Sequence, residues 1–226
     1  MRVHLRVRGR TILRELKEFA FGKTNFGKKY SLGWCDPNEI KLSTLYFNEK
    51  SNGYLKSGRE KIKQHQDPID YHYALDGDWD QHVTNIEDVN IIRWTADRYQ
   101  SNKRPAEGEE VQWMLQNISQ YGVQDGCRNS FDIAQRFKKL DRLYEELSMG
   151  GSLIPQKRLY SFNFREYGGI SIGISRTGQL IWLGNGAHRL AISKILRLPL
   201  IPVSIELIHT DNPAISVNKL QALRNV

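Results

Sequence analysis

Cysteine is scarce in this sequence: Cys35 and Cys127 are the two in 226 residues. Two widely separated thiols give neither a disulfide framework nor a metal-ligand spacing. Long apolar runs are missing as well. None reaches the roughly 18 residues a membrane-spanning helix needs, so no integral membrane association is expected. The basic N-terminus is not followed by the apolar core of a signal peptide. Glu15 and Glu18, with no serine among the first thirty residues, argue against an organelle transit peptide. Cytoplasm is therefore the expected location. Repeats and low-complexity segments are also absent.

Acidic residues are in deficit, 25 against 33 lysines and arginines, for a net charge of +8. The excess is concentrated. Arg2, Arg6, Arg8, Arg10, Arg14, Lys17, Lys23, Lys28 and Lys29 stand near the start against Glu15 and Glu18 alone. Residues 1–29 can thus meet nucleic acid, an anionic surface or a polyanionic carrier, or simply form a solvated arm. A second basic stretch, Lys56, Arg59, Lys61 and Lys63, reads most simply as exposed.

Hydrophobic residues make up 39% of the chain, enough for one substantial core with an elaborate insertion. Residues 1–30 read as a basic arm, with a helix around Thr11 to Phe21. Residues 31–208 read as one α/β (α+β) domain whose first strand and connection span Ser31 to Phe47, interrupted by a long, mainly helical insertion at about 48–135. Residues 209–226 read as a C-terminal helix after Asp211-Asn212-Pro213.

The richest stretch is Leu183-Gly184-Asn185-Gly186-Ala187-His188-Arg189-Leu190. Ile170, Ile172 and Ile174 alternate before it, and Leu180 to Leu183 resume as strand after a turn at Arg176-Thr177-Gly178-Gln179. Ala187, Leu190, Ala191, Ile195 and Leu196 follow at helical spacing. A glycine turn opening a helix presents free N–H groups at the positive end of its dipole. His188 and Arg189 in the first turn oppose that dipole, so their placement calls for a bound anion, most plausibly phosphate. The competing reading is a common Gly-x-Gly turn with His188 as a cap or packing group. The turn lacks the Gly-Lys-Ser/Thr ending of a P-loop. It also lacks the third glycine of a dinucleotide fingerprint, and the one acid at suitable distance, Glu206, lies within the next strand.

With the helix at Leu140 to Leu147, the loop Gly150 to Pro155, the hairpin Ile170 to Leu183, Gly186-Ala187-His188-Arg189 and the strand Leu198 to Ile205, this segment resembles the ParB/sulfiredoxin-like superfamily (ParB-like nuclease domain). Trp34-Cys35-Asp36-Pro37-Asn38-Glu39-Ile40 resembles its opening strand. The resemblance implies a small mixed-sheet domain with a Gly-x-His-Arg phosphate turn. Sulfiredoxins carry their catalytic cysteine where this chain has Ala187, so sulfinic-acid reduction is not expected. Partitioning ParB proteins have Gly-x-Arg-Arg followed by a helix-turn-helix domain, for which too little chain remains here. Related serine kinases have Asp where this chain has Asn185, an amide that can orient a substrate but cannot act as a base.

A second cluster, Asp76-Gly77-Asp78-Trp79-Asp80, puts three carboxylates around a glycine. It can ligate Mg²⁺ or Ca²⁺, or form a tight Asp-Gly turn anchored by Trp79. A Gly-Asp-Trp-Asp element is similar to one in relatives of unknown function, which favours a place at the site. His4, His65, His72, His82 and His209 have no metal-ligand spacing. Arg93 and Arg98 can reach a substrate, though the sequence does not place them.

Together these readings lead to an enzyme of Mg²⁺-dependent phosphoryl transfer or nucleoside triphosphate hydrolysis, with ATP the leading nucleotide and a hydroxyl-bearing acceptor. Gly184, Asn185, Gly186 and Ala187 would hold phosphate, His188 and Arg189 would neutralise transition-state charge, and Asp78 or Asp80 would hold the metal or act as base. The alternatives are a nucleic-acid binding or cleaving protein that uses the basic arm, and a non-catalytic module that binds a phosphorylated ligand.

Overall fold

The computed structural model describes residues 32–44, 73–75, 77–100, 108–159 and 169–224. The basic arm with its expected helix, the stretch Lys56 to Lys63, Asp76, His4, His65 and His72 lie outside these residues.

The chain opens with strand β1 (Leu32–Cys35) and, after a 3-10 turn at Pro37–Glu39, strand β2 (Ile40–Thr44). The sequence reads as one strand here. The break falls where Pro37 removes a ladder donor and the Asp36 carboxylate accepts from the Asn38 N–H at 2.8 Å, capping the turn. Strands β3 (Tyr73–Leu75) and β4 (Val83–Asn85) follow, then helices α1 (Asn90–Gln100), α2 (Glu109–Tyr121), α3 (Ser130–Ser148) and the single turn α4 (Gln156–Leu159). The segment read as a mainly helical insertion therefore also adds two strands to the sheet. Strands of three residues are too short for alternation to reveal them.

The hairpin β5 (Ile170–Ile174) and β6 (Leu180–Trp182) leads into α5 (Ala187–Ile195), β7 (Ile201–His209) and α6 (Pro213–Arg224). The strand order is β1-β7-β5-β6-β2-β4, with β3 also paired to β7. β5 runs parallel to β7 and antiparallel to β6, β2 runs parallel to β6, and β1 runs antiparallel to β7. The sheet is mixed and helices pack on it, which places the chain in the α/β class. The β5–β7 register passes from Ile172 opposite Ile205 to Gly173 opposite Leu207, so Glu206 stands on a bulge.

Alternation along β5 and β7 builds the core. Ile170, Ile172, Ile174, Ile201, Val203 and Ile205 share one cluster with Leu190 and Ala191 of α5 and with Leu220 and Leu223 of α6. A second cluster gathers Trp79, Ile181, Leu183 and Leu207. A third, at Met114, Cys127, Ile133 and Phe137, joins α2 to α3. Among the described residues no helix is long and apolar enough to cross a membrane.

Trp79, 1% exposed, lies over Gly173, where an added Cβ would stand 2.8 Å from the indole ring. Gly173→Ala is expected to destabilise the fold by about 1–3 kcal/mol, since overpacking a rigid indole forces backbone or rotamer shifts. Thermal unfolding checks this, and an unchanged midpoint would contradict the packing.

Candidate functional site

Helix α5 starts where β6 ends, and two left-handed glycines make the passage. Gly184 has φ 99° and Gly186 has φ 73°. At Gly186 a Cβ would lie 2.7 Å from the Ile170 Cα and 2.8 Å from the Gly169 carbonyl oxygen, so the turn presses directly on the β5 backbone. Asn185 clamps the turn from the other side. Its carbonyl accepts from the Ser171 N–H at 3.3 Å and from Trp182 Nε1 at 2.7 Å, and its Nδ2 donates to Ser171 Oγ at 3.1 Å. Ser171 Oγ in turn donates to Glu206 at 2.6 Å. Gly184, Asn185 and Gly186 are partly exposed, while Ala187, His188 and Arg189 are buried. No side chain caps α5.

His188 points away from this turn, into the helices α1 to α3. The Thr95 hydroxyl donates to the Ile91 carbonyl at 2.6 Å, which leaves its oxygen to accept from His188 Nδ1 at 2.9 Å. His188 Nε2 lies 3.1 Å from Glu110 Oε1, an ion-pair distance without hydrogen-bond alignment. With Nδ1 donating to Thr95, Nε2 is the ring nitrogen that faces the Glu110 carboxylate. Both side chains are more than nine-tenths buried, and the edge of Phe137 meets the imidazole. The anion that a histidine at a helix N-terminus calls for is therefore a carboxylate of the same chain. Glu110 itself stands in the first turn of α2, where the dipole favours it.

Arg189 is likewise engaged. Its Nη2 donates to the Ile154 carbonyl, fastening the loop after α3 to α5, and the Ser193 hydroxyl bonds back to its own carbonyl. Arg98 forms a paired hydrogen bond with Asp141 at 3.0 and 2.8 Å and lies 4.5 Å from the Phe137 ring centre, so it braces α1 on α3. Arg93 donates to Asn90 on the surface.

Asp78 and Asp80 sit elsewhere. The hairpin turn holding Arg176 is at the opposite end of β5 from Gly186, a five-residue strand or roughly 15 Å away. Asp80, with 3% of its side chain exposed, accepts from the Arg176 backbone N–H at 3.0 Å and from its guanidinium at 2.8 Å. Asp78 is 64% exposed and 3.3 Å from the same guanidinium, which also donates to the Gly77 carbonyl at 2.7 Å and meets Asp211 at 3.2 Å. Buried His209 donates from Nε2 to the Gly77 carbonyl at 2.8 Å, accepts the Asp211 N–H at Nδ1, and stacks on Trp79. Gly-Asp-Trp-Asp is thus a locked turn, and its carboxylates do not meet the turn before α5. Among the described residues no cluster of three His, Cys, Asp or Glu side chains could hold a metal ion.

Thr95 and Glu110 are not among the site residues the sequence suggests, and Glu206 is read there only as an acid within the next strand. Glu206 carried a signal, a lone charge within the apolar run of β7; Thr95 and Glu110 carried none. The chain matches no protein-family model, no curated protein and no solved structure.

Burial raises the Asp80 carboxyl, but the hydrogen bonds from Arg176 outweigh it and hold the group below its ordinary value. A lowered folded pKa stabilises above the unfolded value of about 3.9, and the contribution fades as pH falls through the folded pKa. Asp80→Asn is therefore expected to be less stable than wild type at pH 7 in urea, with the gap closing below about pH 4. A gap independent of pH would contradict the pairing.

Removing one partner of the buried pair, by Glu110→Ala or His188→Ala, should cost about 3–5 kcal/mol. The double variant should lose clearly less than the two single losses combined. Additive losses in a double-mutant cycle would show that the two side chains do not interact.

Proposed function

We propose that this chain binds a phosphorylated small molecule, a nucleotide such as ATP, through the backbone of the turn Gly184–Ala187. The observation that supports this most directly is the start of α5: no side chain caps it, and the turn before it is partly exposed and tied to β5 by the hydrogen bonds of Asn185 with Ser171. The strand–turn–helix passage ending in Gly186-Ala187-His188-Arg189 also supports kinship with the ParB/sulfiredoxin-like fold.

In this reading His188 and Arg189 position the turn from behind and do not touch phosphate. Asp78 and Asp80 belong to the opposite end of the hairpin. The geometry therefore favours binding over phosphoryl transfer, the activity first expected. If Mg²⁺ accompanies the nucleotide, its protein ligand must come from elsewhere. Glu206 is the carboxylate linked to the turn through Ser171.

The test is thermal unfolding with ATP, ADP, CTP, GTP and adenosine, each with and without Mg²⁺. A nucleotide at about 100 times its dissociation constant adds about 2.7 kcal/mol. For a chain of this size that is a rise of roughly 5–10 °C. ATP or another nucleotide should raise the midpoint and adenosine should not. Equal shifts with adenosine, or none with any nucleotide, would overturn the proposal.

The charge distribution favours a second reading, contact with nucleic acid through residues 1–29. The described residues carry 16 lysines and arginines against 16 acids, so the whole excess of +8 resides outside them, chiefly in that basic segment. Changing Arg2, Arg6, Arg8 and Arg10 to Gln should weaken binding of an oligonucleotide and flatten its salt dependence by about 3 in log–log slope. An unchanged slope would remove this reading.

A further inference from the structure

We infer that the polar patch of Ser171, Asn185, Ser204 and Glu206 receives sugar hydroxyl groups of the ligand, beside the turn that takes its phosphate. The inference rests on the phosphate reading above and names the part of the ligand that lies next to the anion.

Alternation puts the patch on one face of the sheet. The isoleucines of β5, with Ile201, Val203 and Ile205 of β7, pack in the cluster that includes α5 and α6. Ser171 and Ser204, paired directly across β5 and β7, therefore point to the other face. The bulge turns Glu206 the same way, where it meets Ser171. Farther along, this second face is apolar, with Trp79 over Gly173 and beside Leu207. At the end next to Asn185 it carries hydroxyls and a carboxylate instead.

The direction of the hydrogen bonds decides what the patch accepts. A carboxylate offers acceptors alone, so the single proton of Ser171 Oγ goes to Glu206 at 2.6 Å. Ser171 Oγ then accepts from Asn185, which fixes the amide with Nδ2 inward at 3.1 Å. The other atom of that amide, Oδ1, is left as an acceptor on a partly exposed residue, with no hydrogen-bond partner among the described residues. Ser204 is the second such group. It is 4% exposed, more than nine-tenths buried, and its side chain forms no hydrogen bond among the described residues. Its oxygen is not sealed from solvent, yet little water reaches it. A ligand hydroxyl there gains a hydrogen bond in nearly dry surroundings.

The acceptor of Asn185 and the carboxylate of Glu206 both repel a phosphate and call for a donor. The anion therefore belongs with the N–H groups of Gly184–Ala187, and the group over the patch is neutral and rich in donors. Neighbouring sugar hydroxyls meet this need, since each donates once and also accepts. One can donate to Asn185 Oδ1 while the next exchanges a hydrogen bond with Ser204. An apolar group would leave both unmet.

The experiment is isothermal titration of the full chain with ATP, 2′,3′-dideoxy-ATP, ribose 5-phosphate and inorganic triphosphate. ATP should bind about tenfold or more tightly than its dideoxy analogue, which lacks both ribose hydroxyls. In Ser204→Ala that preference should fall below about threefold, while Ser204→Thr, which keeps the hydroxyl, should retain it. Ribose 5-phosphate binding as tightly as ATP would also support the hydroxyl contacts and make a sugar phosphate the source. Equal affinity for ATP, the dideoxy analogue and triphosphate overturns the inference and leaves the phosphate reading standing. Full preference for ATP in Ser204→Ala overturns it as well. Binding of none of the four removes both.

Discussion

The closeness of Gly186 to the β5 backbone is the constraint on which the rest of the arrangement depends. With its φ in the left-handed region and no room for a Cβ against Ile170, Gly186 lets the chain turn off the sheet and enter α5 only four residues after β6. That sharp exit seats α5 on the isoleucine face of β5 and β7. It also decides where the first-turn side chains go: Ala187 into the core, His188 into the helices α1 to α3, and Arg189 against the loop after α3. Any side chain at position 186 would have to move β5 or α5, and with them both contacts.

His188 and Glu110 show how a polar group can be conspicuous in sequence for a structural reason. A histidine opposing a helix dipole needs a compensating anion. The chain supplies a carboxylate from the start of α2, in a setting dry enough that loss of either partner would strand a buried polar group. Three helices meet this imidazole, through Thr95 of α1, Glu110 of α2 and Phe137 of α3. The pair thus ties the segment between β4 and β5 to the turn before α5. At the far end of the hairpin, Arg176 does the same work for the Gly-Asp-Trp-Asp turn, drawing Asp78, Asp80 and Asp211 around one guanidinium.

Local features of this fold are legible in the sequence. The alternation of Ile170, Ile172 and Ile174, the turn at Arg176 to Gln179 and the helical spacing after Gly186 give the hairpin and α5 where they are found, and Pro213 marks the start of α6. Pairings across the chain are not legible. Glu110 and His188 are 78 positions apart, and Asp80 and Arg176 are 96 apart. No periodicity encodes such contacts. The carboxylates Asp78 and Asp80 read as metal ligands because composition shows donors but not the guanidinium of Arg176 that meets both. The strands β3 and β4 escaped notice because three residues are too few to alternate. At the turn itself, the glycines announced the tight passage, and the direction taken by His188 and Arg189 depended on neighbours brought in by the fold.

On the proposed reading, backbone N–H groups and not the basic side chains receive the ligand's phosphate. The most direct measurement is a titration of the isotopically labelled protein with ATP, followed by amide nuclear magnetic resonance. The largest shifts should fall on the amides of Gly184, Gly186 and Ala187, while the ring resonances of His188 keep their positions. Shifts centred on the Asp78–Asp80 turn, or on the His188 ring with the Gly184–Ala187 amides silent, would contradict it.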